Sequence, residues 1–262
     1  MGFIPQIRHY RERRLGTLAF DVFTSERDDC VDPAGVTCQH CDLGTTAFCA
    51  GLTTGQFGRF IAVLEQATFE PQSTIFREGD PAQHLYTITV GAVKLYKLLS
   101  DGRRQIVAFL FPGDFFGLSG NGTYAYTAEA MLPLMACRFP RRKMDQLFKD
   151  LPMLEKKLLG AATQELDAAH DQILLLGRKT ARERLASFLV GLWRRLGGSD
   201  DHPAPVALPM GRGDIADFLG LTIETVSRTF TGLRRDGLIF LPDASHLVIR
   251  RPKDLARIAE GL

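Results

Sequence analysis

The sequence lacks the features that would place the protein in a membrane or outside the cell. No apolar run approaches the roughly 20 residues that span a bilayer. The N-terminal sequence, MGFIPQIRHYRERRLGTLAFDVF, has no apolar core of a signal peptide. Because 45% of the 262 residues are hydrophobic and 24% are charged, the chain can build a sizeable core and is long enough for two domains. We expect a soluble cytoplasmic protein without a membrane partner.

A strong excess of either charge is also missing. The net charge of +2 is too small to indicate a nucleic-acid partner by itself. The charge is unevenly distributed, however, because residues 178–262 contain 14 Lys and Arg residues against 10 Asp and Glu residues. An anion-binding surface is therefore expected in the C-terminal third of the chain.

Cysteines are few and odd in number, yet four of the five lie near the N-terminus. Cys30 precedes a C-x2-C-x7-C array of Cys38, Cys41 and Cys49. In a reducing compartment, clustered thiols favour metal ligation or redox chemistry over structural disulfides. The fourth ligand of a metal site would be the nearby Cys30 or the distant Cys137. Spacing alone leaves zinc and an iron–sulfur cluster open, because both favour four thiolates.

The sequence from about residue 57 to residue 144 is typical of short β-strands. Runs rich in Val, Ile, Leu, Phe and Tyr alternate with turn signals at 79–81, 91, 101–102 and 113–114. This pattern predicts an antiparallel barrel or sandwich.

Residues 152–197 show no strand-like alternation and few helix breakers, and therefore predict a long helix. Apolar residues within it are spaced 3, 4, 3, 4 and 3, as in the a/d seam of a short coiled coil. The seam consists of Leu159, Ala162, Leu166, Ala169, Ile173 and Leu176. We expect it to form a homodimer, and the alternative is that it packs on the β segment. Two alanines bury little area, so the dimer should be weak enough to switch.

The C-terminal sequence predicts a winged helix–turn–helix. A helix is expected over residues 213–219, a turn at Gly220, a second helix from the N-cap Thr222 to near Gly237, and two strands around PDAS. The small core between the helices should contain Ile215, Leu219, Val226, Phe230 and Leu233.

The first turns of the second helix carry the residues that would read DNA, because this end enters the major groove. Glu224 can accept from a cytosine amino group, Arg228 can bind guanine, and Thr225 and Ser227 supply hydroxyls. The alternative is that Glu224 and Arg228 form an ordinary i,i+4 surface ion pair. Arg212, near the first helix, is expected to contact phosphates or water rather than bases.

The β segment, long helix and winged helix–turn–helix, in this order, resemble the cyclic AMP receptor protein/FNR superfamily of bacterial transcription regulators over about residues 35–250. The stretches RGDIADFLGLTIETVSRTF and ILLLGRKTARERLASF, together with the cysteine array, resemble the FNR-type regulators of the FnrL, FnrN and AadR varieties. The resemblance implies an α+β fold with an N-terminal cyclic-nucleotide-binding-like β-roll. The implied domains are a cysteine-rich arm (1–55), the β-roll (56–150), a dimerisation helix (151–178) and a winged helix–turn–helix domain (179–262).

The resemblance also implies an oxygen-responsive regulator that binds palindromic TTGAT-type DNA as a homodimer. Its cofactor would be one [4Fe–4S] cluster per subunit, held by Cys38, Cys41, Cys49 and Cys137, with Cys30 left without a role. Loss of the intact cluster would weaken dimerisation and DNA binding. The alternative is a DNA-binding regulator of the same fold whose cysteines hold structural zinc or sense thiol oxidation.

The recognition sequence resembles that of FNR rather than that of cyclic AMP receptors. The family pattern E-x-x-S-R is matched by Glu224, Ser227 and Arg228, and Ile223 stands where cyclic AMP receptors carry an arginine. Ala169 stands where FNR proteins place an acidic residue on the dimer seam, which puts the strength of an oxygen switch in question. Acidic residues at positions 165, 167 and 171 lie nearby.

Two further expectations concern partners. No arginine lies between Arg104 and Arg138, so a buried cyclic-nucleotide phosphate would lack a charge partner, and no nucleotide ligand is expected. The hairpin at residues 98–105, LLSDGRRQ, lies where FNR has a contact with RNA polymerase, which is an expected partner. The sequence contains no evident nucleophile–base pair and no open metal site, so no enzymatic activity is expected.

Overall fold

The structure, a computed structural model, describes residues 30–31, 37–38, 43, 47–197 and 205–262. Near the N-terminus, strands β1 (Cys30–Val31) and β2 (Thr37–Cys38) pair antiparallel, with the backbone of Cys30 opposite that of Cys38. No helix within the described ranges is both long and apolar enough to cross a membrane.

Eight strands form the predicted antiparallel β region. They are β3 (Glu65–Phe69), β4 (Thr74–Phe76), β5 (His84–Val90), β6 (Val93–Leu98), β7 (Arg104–Leu110), β8 (Phe115–Phe116), β9 (Thr127–Ala130) and β10 (Leu134–Pro140). They make two four-stranded sheets, β3-β10-β5-β8 and β4-β9-β6-β7, and buried residues from both sheets share one core. The β5–β6 turn requires Gly91, because its φ is 97° and a Cβ would lie 2.5 Å from the Pro133 carbonyl oxygen.

Two helices flank this β region, so the predicted strand segment of residues 57–144 was wrong at both ends. Helix α1 (Thr54–Ile61) has a capping box of Thr53 and Gln56, and it buries Phe57 and Phe60 on one face. Helix α2 (Arg141–Asp150) follows β10 directly and buries Met144 and Leu147. In both helices the buried residues are three apart, a helical spacing that the nearby turn signals obscured.

The single long helix predicted over residues 152–197 was also wrong, because the chain breaks into α3 (Pro152–Arg178) and α4 (Ala181–Arg195). Thr180 is the N-cap of α4, and its side chain accepts from the Glu183 N–H while its own N–H donates to the Glu183 carboxylate at 3.0 Å. This capping box satisfies the first N–H groups of α4. The Arg184 guanidinium satisfies carbonyls of Leu176 and Lys179 at the break.

The C-terminal region is the predicted winged helix–turn–helix. Its elements are β11 (Val206–Ala207), α5 (Arg212–Leu219), α6 (Ile223–Arg235), β12 (Ile239–Phe240), β13 (His246–Ile249) and α7 (Pro252–Ala259). Gly220 turns the chain with φ of 62°, and the Thr222 hydroxyl accepts from the Thr225 N–H at 3.2 Å, as expected of an N-cap. The five predicted core residues of this region are at most 3% exposed, which confirms the prediction.

Candidate DNA-binding surface and thiol site

The first turns of α6 present the predicted base-reading residues to solvent. Glu224, Ser227 and Arg228 are exposed, whereas Val226 is buried on the opposite face of the helix. Thr225 is half-buried and takes part in the capping of the helix through Thr222. The arrangement leaves one carboxylate, one hydroxyl and one guanidinium on an uncovered helix face.

The two charged side chains of this face are held by hydrogen bonds to neighbouring groups rather than by an ion pair with each other. Hydrogen bonding to its own N–H and to the Thr222 hydroxyl, with the charge of Arg228, lowers the pKa of Glu224, so its carboxylate is ionised at neutral pH. Arg228 donates to the Thr225 hydroxyl at 3.3 Å. No ion pair joins Glu224 to Arg228 in the described part of the chain. The ordinary surface pair considered as an alternative is therefore not formed.

Arg212 lies against α6, the second helix of the helix–turn–helix. Its guanidinium carbon is 3.3 Å from the centre of the Phe230 ring, and its Nη1 is buried without a hydrogen-bond partner among the described residues. Burial lowers the pKa of Arg212, which reflects the cost of removing a charged group from water. The contact with Phe230 and this burial together hold the guanidinium against α6.

The first helix of the helix–turn–helix is fixed to the β region by a network of charges. Lys94 is only 8% exposed, and its Nζ lies 3.0 Å from Glu129 and 3.1 Å from Asp214. Arg104 lies 2.6 Å from Asp214 and 2.8 Å from Asp217. We call these five residues the interdomain charge network.

The same contact changes the interpretation of the hairpin at residues 98–105. Gln105 donates to the main-chain carbonyl of Asp217 at 2.7 Å, and Arg104 belongs to the interdomain charge network. The hairpin tip at residues 98–103 is exposed. Within this hairpin, residues 98–103 are thus exposed, whereas residues 104 and 105 contact α5.

Two of the four cysteines predicted to hold an iron–sulfur cluster lie where the structure describes the side chains. Cys49 and Cys137 are both half-buried and pack against the same apolar cluster. Its buried members are Phe60, Leu85, Phe139, Met144, Leu147, Leu151 and Leu154. Cys38 lies in β2, where only the backbone is described, and Cys41 lies outside the described residues. The structure thus places the array's last cysteine and the distant Cys137 on the same apolar cluster.

Lys157, on α3, was not singled out by the sequence. Its Nζ lies within hydrogen-bond distance of the carbonyl oxygens of Ala47, Phe48 and Ala50, which flank Cys49. No local sequence signal predicts this contact, because more than 100 residues separate the partners.

Comparison with known proteins places the chain in a family. A cyclic nucleotide-binding domain model matches residues 66–150, and a model described as "Bacterial regulatory proteins, crp family" matches residues 208–239. The transcriptional activatory protein AadR of Rhodopseudomonas palustris is 42% identical over 211 residues, which cover 80% of this chain and 88% of AadR. This chain belongs to the CRP/FNR family of transcription regulators.

Other relatives agree with this placement. The transcriptional activator protein FnrL of Cereibacter sphaeroides is 35% identical, with 85% of this chain and 90% of FnrL covered. The solved structure of FixK2 from Bradyrhizobium japonicum matches with a TM-score of 0.70 and 39% identity, covering 75% of this chain and 97% of FixK2. The predicted fold class and family are confirmed. CRP/FNR relatives are regulators rather than enzymes, and regulators of this family bind DNA and act as dimers.

The predicted dimer seam of this CRP/FNR regulator lies along α3. Leu159, Leu166 and Ile173 are 66%, 56% and 66% exposed, so they do not pack on the β-roll of their own chain. Ala162 is half-buried, Ala169 is exposed, and Leu176 is half-buried against the C-terminal core. The uncovered part of the seam therefore ends near Ile173.

A cavity of about 620 Å³ lies between the β-roll and α3. Two cationic residues line it, Lys157 and Arg195. The Arg195 guanidinium forms an ion pair with Asp114, and Lys157 donates to the carbonyls near Cys49. A phosphate in this cavity would have to compete with both sets of contacts.

Proposed function

We propose that this CRP/FNR regulator is an oxygen-responsive homodimer that binds palindromic TTGAT-type DNA and is controlled by one oxygen-labile [4Fe–4S] cluster per subunit. The observation that carries the proposal is the packing of Cys49 and Cys137 on one apolar cluster, since they are separated by almost ninety residues. The relatives FnrL and AadR are named as transcriptional activator proteins, which supports the regulatory part.

The thiols of Cys49 and Cys137 fit the proposed cofactor in their chemistry and surroundings. Iron–sulfur clusters are held by cysteine thiolates, and apolar, half-buried surroundings limit access of water to the sulfurs. Cys38, Cys41, Cys49 and Cys137 would hold the cluster, which would supply the oxygen-reactive group. The chain's own contribution is to tie the N-terminal segment to the β-roll beside α3.

DNA would be read by the exposed face of α6 and gripped by Arg212. Glu224 would accept from a cytosine amino group, Arg228 would donate to guanine, and Ser227 and Thr225 would supply adaptable hydroxyls. Arg212 is half-buried, so the exposed part of its side chain would contact a phosphate, whereas its buried Nη1 lies out of reach of DNA.

The switch would act through the dimer seam. Leu159, Leu166 and Ile173 bury apolar area when two copies of α3 meet, but the alanines between them add little. A single subunit on one half-site binds too weakly to compete with nonspecific DNA. A change of a few kcal/mol in the free energy of dimerisation would therefore decide whether the DNA site is occupied.

We propose further that no cyclic nucleotide binds, because the two cationic side chains that line the cavity, Lys157 and Arg195, already have partners. We also propose that the hairpin tip at residues 98–103 contacts RNA polymerase.

One observation favours a second candidate function. The backbone of Cys30 lies opposite that of Cys38 in β1 and β2, which would suit a local set of four thiols that includes Cys30. Such a set could hold structural zinc or respond to thiol oxidation in a regulator of the same fold.

Metal analysis separates the two candidates. Protein purified without oxygen should contain iron and acid-labile sulfide in proportion to four atoms of each per chain, and stoichiometric zinc without sulfide would exclude the cluster. The Cys137→Ala variant should lose the iron and sulfide, whereas Cys30→Ala should retain both. The reverse pattern would assign the fourth ligand to Cys30.

A further inference from the structure

Lys157 makes an unusual set of contacts for a lysine on a long helix. Its Nζ is 3.5 Å from the Ala47 carbonyl oxygen, 3.1 Å from that of Phe48 and 2.6 Å from that of Ala50. A lysine ammonium has three N–H donors, and here three main-chain acceptors surround it. No carboxylate in the described part of the chain forms an ion pair with Lys157.

The segment that Lys157 contacts is the one that carries Cys49. Ala47 is 4% exposed, and the Phe48 ring lies 5.0 Å from the Phe115 ring and 6.1 Å from the Phe139 ring. Cys49 packs against the same apolar cluster as Phe48. Residues 47–50 are therefore held on one side by aromatic packing and on the other by the ammonium on α3.

We infer that Lys157 is the positioning residue that couples the order of the Cys49 segment to dimerisation through α3. Charge-assisted hydrogen bonds are about twice as strong as neutral ones, and a half-buried ammonium that loses its acceptors is left uncompensated. Lys157 lies two residues before Leu159, the first exposed residue of the seam. When residues 47–50 detach, α3 loses the hydrogen bonds of Lys157. These hydrogen bonds lie immediately beside the surface that meets the second copy.

The coupling must act in both directions, because an interaction free energy between two sites is reciprocal. An ordered Cys49 segment should favour the dimer, and the dimer should protect the Cys49 segment. This second consequence can be measured on the metal-free, reduced full chain. The regulatory meaning of this inference rests on the proposed function. The measurement needs no iron–sulfur cluster, so its result does not depend on whether the proposed function is correct.

The experiment measures the alkylation rate of each cysteine together with the dimer dissociation constant. An endoproteinase that cleaves before aspartate separates Cys49, in the fragment that begins at Asp42, from Cys30, Cys38 and Cys41. Mass spectrometry then follows alkylation of Cys49, with the rate in the same chain unfolded in urea as the reference. Sedimentation equilibrium gives the dissociation constant of the same samples.

Lys157→Met should accelerate alkylation of Cys49 roughly tenfold, as expected for loss of one charge-assisted hydrogen bond, and should weaken the dimer by a similar factor. Lys157→Arg should restore most of both properties, because a guanidinium also donates to carbonyls. Lys156→Met is the matched control, since Lys156 is exposed, and it should behave as the unmodified chain.

Three outcomes would overturn the inference. The first is an unchanged Cys49 rate in Lys157→Met, and the second is faster alkylation without any change in dimerisation. If Lys157→Met does not fold, the unmodified protein still tests the coupling between the Cys49 segment and the dimer. Its Cys49 alkylation should slow as concentration rises through the dimer dissociation constant, and a concentration-independent rate would be the third contrary outcome.

Discussion

At the scale of single residues, the exposed charged side chains of α6 and the half-buried Arg212 have different physical roles. Glu224 and Arg228 are exposed and do not form an ion pair with each other, so each is accessible to an external partner. Arg212 is half-buried on Phe230 with an unpaired nitrogen, so its charge is held in position before an anion arrives. Removing this charge from water has a cost, as the pKa of Arg212, lowered by burial, indicates.

Replacing Glu224 by Gln should relax discrimination at one base position, because an amide can donate as well as accept. We expect a loss of about 1 to 3 kcal/mol against the preferred base and little change for DNA of unrelated sequence. Competition binding against sites that vary at each position measures this effect. A uniform loss across all sequences would instead show that Glu224 only supports the start of α6.

Replacing Arg212 by Met should weaken binding to all sequences equally, because a phosphate contact carries no base information. The slope of log affinity against log salt concentration should fall by about 1. The free energy of unfolding should change by less than about 1 kcal/mol, since the lost cation–π contact is offset by removal of an unpaired buried charge. Urea unfolding measures the change in stability, and DNA titration at several salt concentrations measures the slope. A loss of affinity confined to one base position would contradict the phosphate contact.

At the scale of elements, α3 and α4 differ in what they bury. Helix α4 buries seven of its residues and belongs to the core, whereas α3 buries only Leu154 and Leu175. The break at Thr180 lets α4 turn into the C-terminal domain while α3 keeps its apolar stripe uncovered. An exposed stripe of this length is expected at an interface between two proteins.

Replacing Ile173 by Asp should therefore disrupt the dimer and leave the monomer folded. Ile173 is 66% exposed in the monomer, but in a dimer an aspartate would be buried without a partner, facing its counterpart. Sedimentation equilibrium should show monomers at concentrations where the unmodified chain is dimeric, and DNA affinity should fall with it. A monomer that unfolds at lower urea concentration would show that Ile173 supports its own chain.

At the scale of the whole molecule, the interdomain charge network sets the position of the helix–turn–helix on the β-roll. Two cations from β6 and β7 contact two carboxylates of α5, and Gln172 on α3 donates to the Phe218 carbonyl at 2.7 Å. The Phe218 ring also packs, in tilted arrangements, against Phe109 of the β-roll and Phe188 of α4. Charge and aromatic contacts therefore hold three parts of the fold in one arrangement.

Replacing Arg104 by Glu should leave Asp214 and Asp217 facing a like charge. We expect the free energy of unfolding to fall by about 1 to 3 kcal/mol, between the values for exposed and buried ion pairs. DNA affinity should fall without a change in the dimer dissociation constant. Adding Asp217→Lys should recover part of both losses, and strictly additive effects in this double-mutant cycle would mean that Arg104 and Asp217 do not interact.

Much of the fold was predictable because its signals are local. The core spacing of Ile215, Leu219 and Phe230, the cap at Thr222 and the turn at Gly220 all lie within one short stretch, and each sets its own backbone geometry. The capping box of Thr180 and Glu183 was equally local, but no proline marks the break, and Gly177 was too weak a signal to reveal it.

What the sequence by itself determined is the family, the order of elements and the residue types on the first turns of α6 and in the cysteine array. Only the tertiary structure decided which distant residues meet: Lys157 with the Cys49 segment, and Lys94 with Asp214, 120 residues away. A helical or strand pattern specifies which face is buried, but not which other element covers it. The partners of a charged side chain on that face depend on the packing of whole elements, which no short stretch of sequence encodes.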